Sequence, residues 1–220
     1  MFLGHFAVGF AAKKFAPRSS EATLLAAPVF ADILWPFFLL PGWEQVRIDP
    51  GNTRYTPLDF VSYPWSHSLL MLCVWATAFG AVYYAITRYA PGAIAIWIGV
   101  VSHWVLDWVT HRPDMPLYPG GRGYGLSLWN SIAGTMVVEL VMFAVGVWMY
   151  IGATRAKDRI GRYGLASYIV LLVVFYISDA FSPPPGSVAE IPMLAIPATA
   201  ILLLWAWWFD RHRSPKRELA

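Results

Sequence analysis

Ser102-His103-Trp104-Val105-Leu106-Asp107-Trp108-Val109-Thr110-His111-Arg112-Pro113-Asp114 is the stretch on which the reading of this chain turns. It closes an apolar segment that begins at Gly92, and it holds two of the chain's five histidines. Ionisable groups in such a segment are costly to place, so they face a bundle interior and serve a purpose. Positions i and i+4 share one face of a helix, which puts His103, Asp107 and His111 on one stripe. Pro113 predicts a helix end near Arg112. His103 and His111 lie about 12 Å apart along the axis, whereas metal–nitrogen bonds are about 2 Å long. An unbroken helix therefore offers an ion either His103 with Asp107 or Asp107 with His111. The bland rival is a His–Asp pair that merely satisfies itself inside a bundle.

Composition bounds the rest. The chain has 220 residues, 58% of them hydrophobic and 13% charged. Those proportions indicate a polytopic membrane protein, because a soluble chain would leave too much apolar surface in water. Cys73 is the single cysteine and lies in an apolar run, which excludes a disulfide framework. The start lacks the basic region and small-residue cleavage site of a signal peptide, so Met1 is expected to remain. The net charge of +3 does not point to nucleic acid. The basic residues sit at the ends of apolar spans, where membrane topology requires them.

Working outward, residues 2–16 form a short apolar helix with His5, too short to span. Residues 21–40 form a second apolar segment with Asp32, bent by Pro28 and Pro36. If residues 17–20 turn a helical hairpin, His5 and Asp32 both stand about 18 Å from the turn. Residues 41–65 are rich in breakers, and their charges Arg47, Asp49, Arg54 and Asp59 read as solvated. Spans follow from Trp65-Ser66-His67-Ser68 to Arg88, from Pro91 to Arg112, and over 127–151, 164–181 and 190–209. The glycine-rich connector 113–125 has the composition of a mobile loop able to fold over a site. Glu139 lies mid-span without an evident partner, and Asp179 lies near the end of its span. The expected fold is an all-α polytopic membrane bundle: about five full spans plus a short N-terminal helix packed in a hairpin with residues 21–40. It is one integral domain, 1–210, with a site-bearing part (1–125), additional spans (127–209) and a basic cytoplasmic tail (211–220).

The positive-inside rule orients it. The 155–162 linker and the tail are basic and the 182–186 turn is not, which makes linker and tail cytoplasmic. Counting back, Lys13, Lys14, Arg18 and Arg88 are inside, and the 41–65 and 113–125 loops are outside. His5, Asp32, His67, His103, Asp107 and His111 then converge in the outer half from separate segments, as a single site needs. One mismatch stands out: straight helices place His67 about 14 Å further out than His103. Either Trp65–Ser68 dips into the bundle, or the site has a deep layer and a mouth layer with His67, His111 and Asp114.

Gly4-His5, the Asp32 segment, Trp65-Ser66-His67-Ser68-Leu69-Leu70, Ser102-His103 with Asp107, and Pro116-Leu117-Tyr118-Pro119 together resemble the YdjM-like family over roughly residues 1–120. Its members are described as predicted membrane-bound metal-dependent hydrolases. The resemblance implies a helical membrane fold with a metal site at His5, Asp32, His67, His103 and Asp107. Two stretches depart from the family's pattern. Ala31-Asp32-Ile33-Leu34 stands where the family tends to have Pro-Asp-x-Asp-His, and Tyr63-Pro64-Trp65 stands where an extra histidine is common.

Three histidines and two carboxylates suit Zn²⁺, with Mn²⁺ or Fe²⁺ as alternatives. The expected activity is metal-dependent hydrolysis of a lipid-like or phosphoester substrate at the outer half of the inner membrane. Asp107, or Asp32 if it is not a ligand, would act as general base. Arg112, and beyond it Arg122, would meet an anionic head group. Membrane lipid is the expected partner, and nucleic acid is not. Rival readings are a non-catalytic ion- or proton-binding membrane protein or transporter, and a b-type haem protein with two axial histidines.

Overall fold

The computed structural model describes residues 1–216, so the last part of the expected tail lies outside the described residues. Among the described residues, five helices are long and apolar enough to cross a membrane: α5 (Leu69–Thr87), α6 (Ala90–Thr110), α7 (Ile132–Ala153), α8 (Arg159–Phe181) and α9 (Glu190–Arg211). The shortest has 19 residues, about 28 Å at the helical rise, close to the thickness of a bilayer's hydrocarbon core. At most 33% of any such span is buried inside the molecule. Apolar side chains such as Ile86 and Met193 point outward, a surface suited to lipid and not to water. The chain is thus an all-α polytopic bundle, as its composition predicts.

Span boundaries move for local reasons. The third span begins at Ile132 and not at 127, because Leu128–Asn130 is a 3₁₀ turn and Ser131 caps the helix by accepting from Gly134 N at 3.1 Å. The fourth begins at Arg159, where Asp158 accepts from Gly161 N at 2.9 Å. That contact, with His212 beside it, holds the exposed Asp158 carboxyl below its usual range. A cap recruits a polar first turn into the helix, which an apolar-run count misses.

The N-terminal part is built of α1 (Leu3–Ala12), α2 (Glu21–Ala26) and α3 (Phe30–Leu39). The second apolar segment is thus two helices, interrupted at Ala27–Val29 around Pro28. Small residues let α1 approach its neighbours closely. A Cβ on Gly9 would stand 2.8 Å from Leu25 Cα, and one on Gly146 of α7 2.7 Å from Ala7 Cα. Leu3, Phe6 and Phe10 of α1 join Phe143, Tyr150, Tyr168, Leu172 and Tyr176 in the main core. A second cluster (Ala27, Ala31, Leu72, Ala76, Ile96 and Val100) locks the α2–α3 break against α5 and α6.

The connectors carry short structure. β1 (Gln45–Ile48) and β2 (Leu58–Ser62) pair antiparallel, and α4 (Pro64–His67) follows. Asp59 of this hairpin is buried and pairs with both Arg47 and Arg112, which corrects the expectation of a plain solvated charge. The glycine-rich connector pairs β3 (Met115–Pro116) with β4 (Gly123–Tyr124). Its return donates Leu126 N to Trp108 O at 2.8 Å and Ser127 N to His111 O at 2.7 Å. It therefore satisfies the last carbonyls of α6; α6 itself ends at Thr110, short of Arg112. At the other end of the bundle, β5 (Thr154–Ala156) pairs with β6 (Arg213–Pro215), and Lys13 reaches Asp210 at 2.9 Å.

Candidate metal centre

The structure draws His5, Asp32, His67, His103 and Asp107 to one place. One ligand atom from each of His5, His103 and Asp107 lies within 4.8 Å of the others, and so does one from each of Asp32, His67 and His103. His103 and Asp107 come from one face of α6, His5 from α1, and Asp32 from the first turn of α3, where a carboxylate also suits the helix dipole. Asp107 is the hub. Its Oδ1 takes His5 Nε2 at 3.0 Å and the Met1 amine; its Oδ2 lies 2.9 Å from His103 Nε2 and 3.7 Å from His111 Nε2. His5, His67, His103 and Asp107 are all buried, and Asp32 alone is substantially open, its side chain 46% exposed.

Hydrogen-bond partners dictate the histidine tautomers. His103 Nδ1 lies 2.8 Å from Pro28 O, left free by the α2–α3 break. A carbonyl only accepts, so Nδ1 carries the hydrogen and a neutral ring has its lone pair at Nε2. Ser66 Oγ donates to Glu44 Oε2 at 2.6 Å, so it accepts from His67 Nδ1, also at 2.6 Å. Burial and Asp114 push the Tyr63 phenol well above its usual range, so it keeps its proton and donates it to Asp114 Oδ1 at 2.7 Å. His111 Nδ1 then donates to the same carboxylate at 3.0 Å. In their neutral forms three rings thus turn Nε2 lone pairs toward carboxylate oxygens: His103 at 2.9 Å from Asp107, His67 at 3.6 Å from Asp32, and His111 at 3.7 Å from Asp107. His103 Nε2 is buried and makes no hydrogen bond. Lone pairs facing carboxylates repel unless a cation stands between them, and nitrogens anchored through the opposite ring atom are how histidines are held for a metal. The donor set fits a divalent transition ion.

His67 reaches this place because it is not on α5. Ser68 is extended (ψ 144°) and caps α5, so α4 is a separate element that dips inward. The His67 and His103 ring centroids are 5.0 Å apart.

Two buried carboxylates escape a reading by sequence spacing. Glu44 Oε1 accepts Trp65 N and Ser66 N, both at 2.8 Å, which caps α4 while Oε2 holds the Ser66 hydroxyl behind His67. Glu139, without an evident partner in sequence, has one in space: its Oε2 accepts Phe2 N at 2.8 Å and Gly4 N at 3.2 Å. The start of α1 has no cap of its own, so α7 supplies one and seats the helix that carries His5. Arg112 stands outside the cluster, where Asp59, Asp114 and Asn52 share its guanidinium. Asp179 lies on an exposed turn of α8 and Arg122 packs over Tyr124, both apart from the cluster.

No curated protein matches this chain, and no solved structure does. A family model does, that of the YdjM inner membrane protein, over residues 1–182. The match takes in every candidate ligand and reaches past Glu139 to the end of α8. With its five apolar spans, the chain belongs to the YdjM inner membrane protein family, and it is an integral inner-membrane protein.

Proposed function

We propose that this protein is a membrane-embedded, metal-dependent hydrolase whose substrate is a lipid-like phosphoester taken from the outer half of the bilayer. The observation that carries the reading is the trio of anchored histidines whose Nε2 lone pairs face Asp32 and Asp107. In it, His5, Asp32, His67, His103 and Asp107 hold a divalent ion, Zn²⁺ before Mn²⁺ or Fe²⁺. Such an ion supplies Lewis acidity toward a phosphoryl oxygen and lowers the pKa of water to about 7. Both oxygens of Asp107 face neighbouring nitrogens, whereas Asp32 faces His67 and His103 through Oδ1 alone, so Oδ1 is its ligand atom and Oδ2, on the open side chain of the set, is the general base. Access at Asp32, on a helix within the bundle, favours a substrate that arrives through lipid. Arg112 shares its charge with Asp59 and Asp114 and braces the outer hairpin against the end of α6.

Elemental analysis of detergent-purified protein tests this. About one transition ion per chain is expected, lost in His103→Ala and Asp107→Ala, together with hydrolysis of a lipid phosphoester that a chelator abolishes. Folded, pure protein without metal would end the reading. Bound metal with no hydrolysis of any phosphoester would leave an ion-binding membrane protein instead.

A further inference from the structure

We propose that the end of the bundle away from the metal centre binds an anionic phospholipid by its phosphate. Two cavities, of about 320 and 360 Å³, flank the C-terminal end of α7, and Lys216 lines both. Among the described residues, neither lining contains an acidic one. Lys13 and Arg213 are already engaged, Lys13 with Asp210 and Arg213 with Thr154 and Gly161 O. Lys14, Arg155, Arg162 and Lys216 are exposed and enter no ion pair among the described residues, Lys216 donating only to the Ile151 carbonyl at 3.0 Å. Like charges gathered with no acidic side chain among the described lining residues repel one another, and a phosphodiester between them lowers that repulsion.

The other half of the site is apolar. Trp148, 73% exposed, lines the first cavity and projects from a spanning helix near its end, where tryptophan meets lipid head groups. A Cβ on Gly152 would meet nothing within 4 Å, so the floor beside Trp148 is open. A soluble anion would leave that apolar lining unused, whereas a lipid fills it with its glycerol and upper acyl chain. Basic pockets between spanning helices at a membrane surface suit acidic head groups. This assignment stands apart from the metal centre and does not depend on it.

Native mass spectrometry of the full chain, exchanged from detergent into phosphatidylglycerol or phosphatidylcholine, tests it. Phosphatidylglycerol should be retained well above phosphatidylcholine. Each cation removed should weaken retention about fivefold, so Lys14→Gln with Lys216→Gln should lose about 25-fold. Gly152→Leu fills the open floor without touching the fold. It should release phosphatidylglycerol while thermal stability and metal content stay at wild-type values. Equal retention of the two lipids, or unchanged retention in these variants, overturns the proposal. So does displacement of the lipid by millimolar inorganic phosphate, which would make the ligand a soluble phosphate.

Discussion

Glu44→Gln isolates the proton argument behind the candidate metal centre. The glutamine oxygen can still accept Trp65 N and Ser66 N, both at 2.8 Å from Glu44 Oε1, so α4 keeps its cap. The amide NH₂ replaces Oε2, which stands 2.6 Å from Ser66 Oγ. An amide nitrogen donates, so Ser66 Oγ must accept there and turn its own hydrogen toward His67 Nδ1. His67 is then forced into the other tautomer, with a proton on the nitrogen that faces Asp32. A ligand nitrogen that carries a proton cannot bind, and outer-shell changes of this kind cost about 10–100-fold in metal affinity. That corresponds to about 1.4–2.7 kcal/mol. Competition with a fluorescent zinc chelator in detergent reads the affinity, and thermal unfolding of the metal-free protein reads the fold. Affinity should fall while metal-free stability changes by less than about 1 kcal/mol, since the backbone bonds persist. Affinity within threefold of wild type would refute the tautomer chain from Glu44 to His67.

Glu139→Ala should strip the cap from Phe2 N and Gly4 N in a buried setting. The metal-free protein should lose about 1–3 kcal/mol in chemical or thermal unfolding, and Glu139→Gln should recover most of it. Orientation is open to cysteine labelling in a Cys73→Ser background. Asp49→Cys and Arg122→Cys, exposed on the end that carries the candidate metal centre, should react with an impermeant thiol reagent in intact cells, and Arg159→Cys should not. The reverse pattern would turn the site to the cytoplasmic face.

The spans and the hairpin are legible because lipid imposes long apolar runs, but with the break at Ala27–Val29 helix rise alone does not bring His5 and Asp32 to His103. The depth of His67 was misleading because the count assumed one helix from Trp65 onward. Ser68, a hydroxyl residue before an apolar run, and Pro64 at the first turn of α4 were the available signals of a break. Glu44 and Asp59 were hidden for another reason. Both sit in a polar, turn-rich stretch where charges are usually solvated, and only the fold brings Ser66 to the one and Arg112 to the other. Glu139 announced itself as a carboxylate in mid-span, yet its partners are backbone N–H groups, which no side-chain pattern encodes.

The cap on α1 has a consequence for how the protein is made. A ribosome delivers all five candidate ligands by Asp107 and the carboxylate of Glu139 only with the next span. A nascent chain that has passed α6 to the bilayer therefore carries every donor while the start of its first helix is still uncapped. His5 is seated when α7 slides in beside it, Gly146 against Ala7. The seat of His5 is thus completed late, by a segment that contributes no candidate ligand.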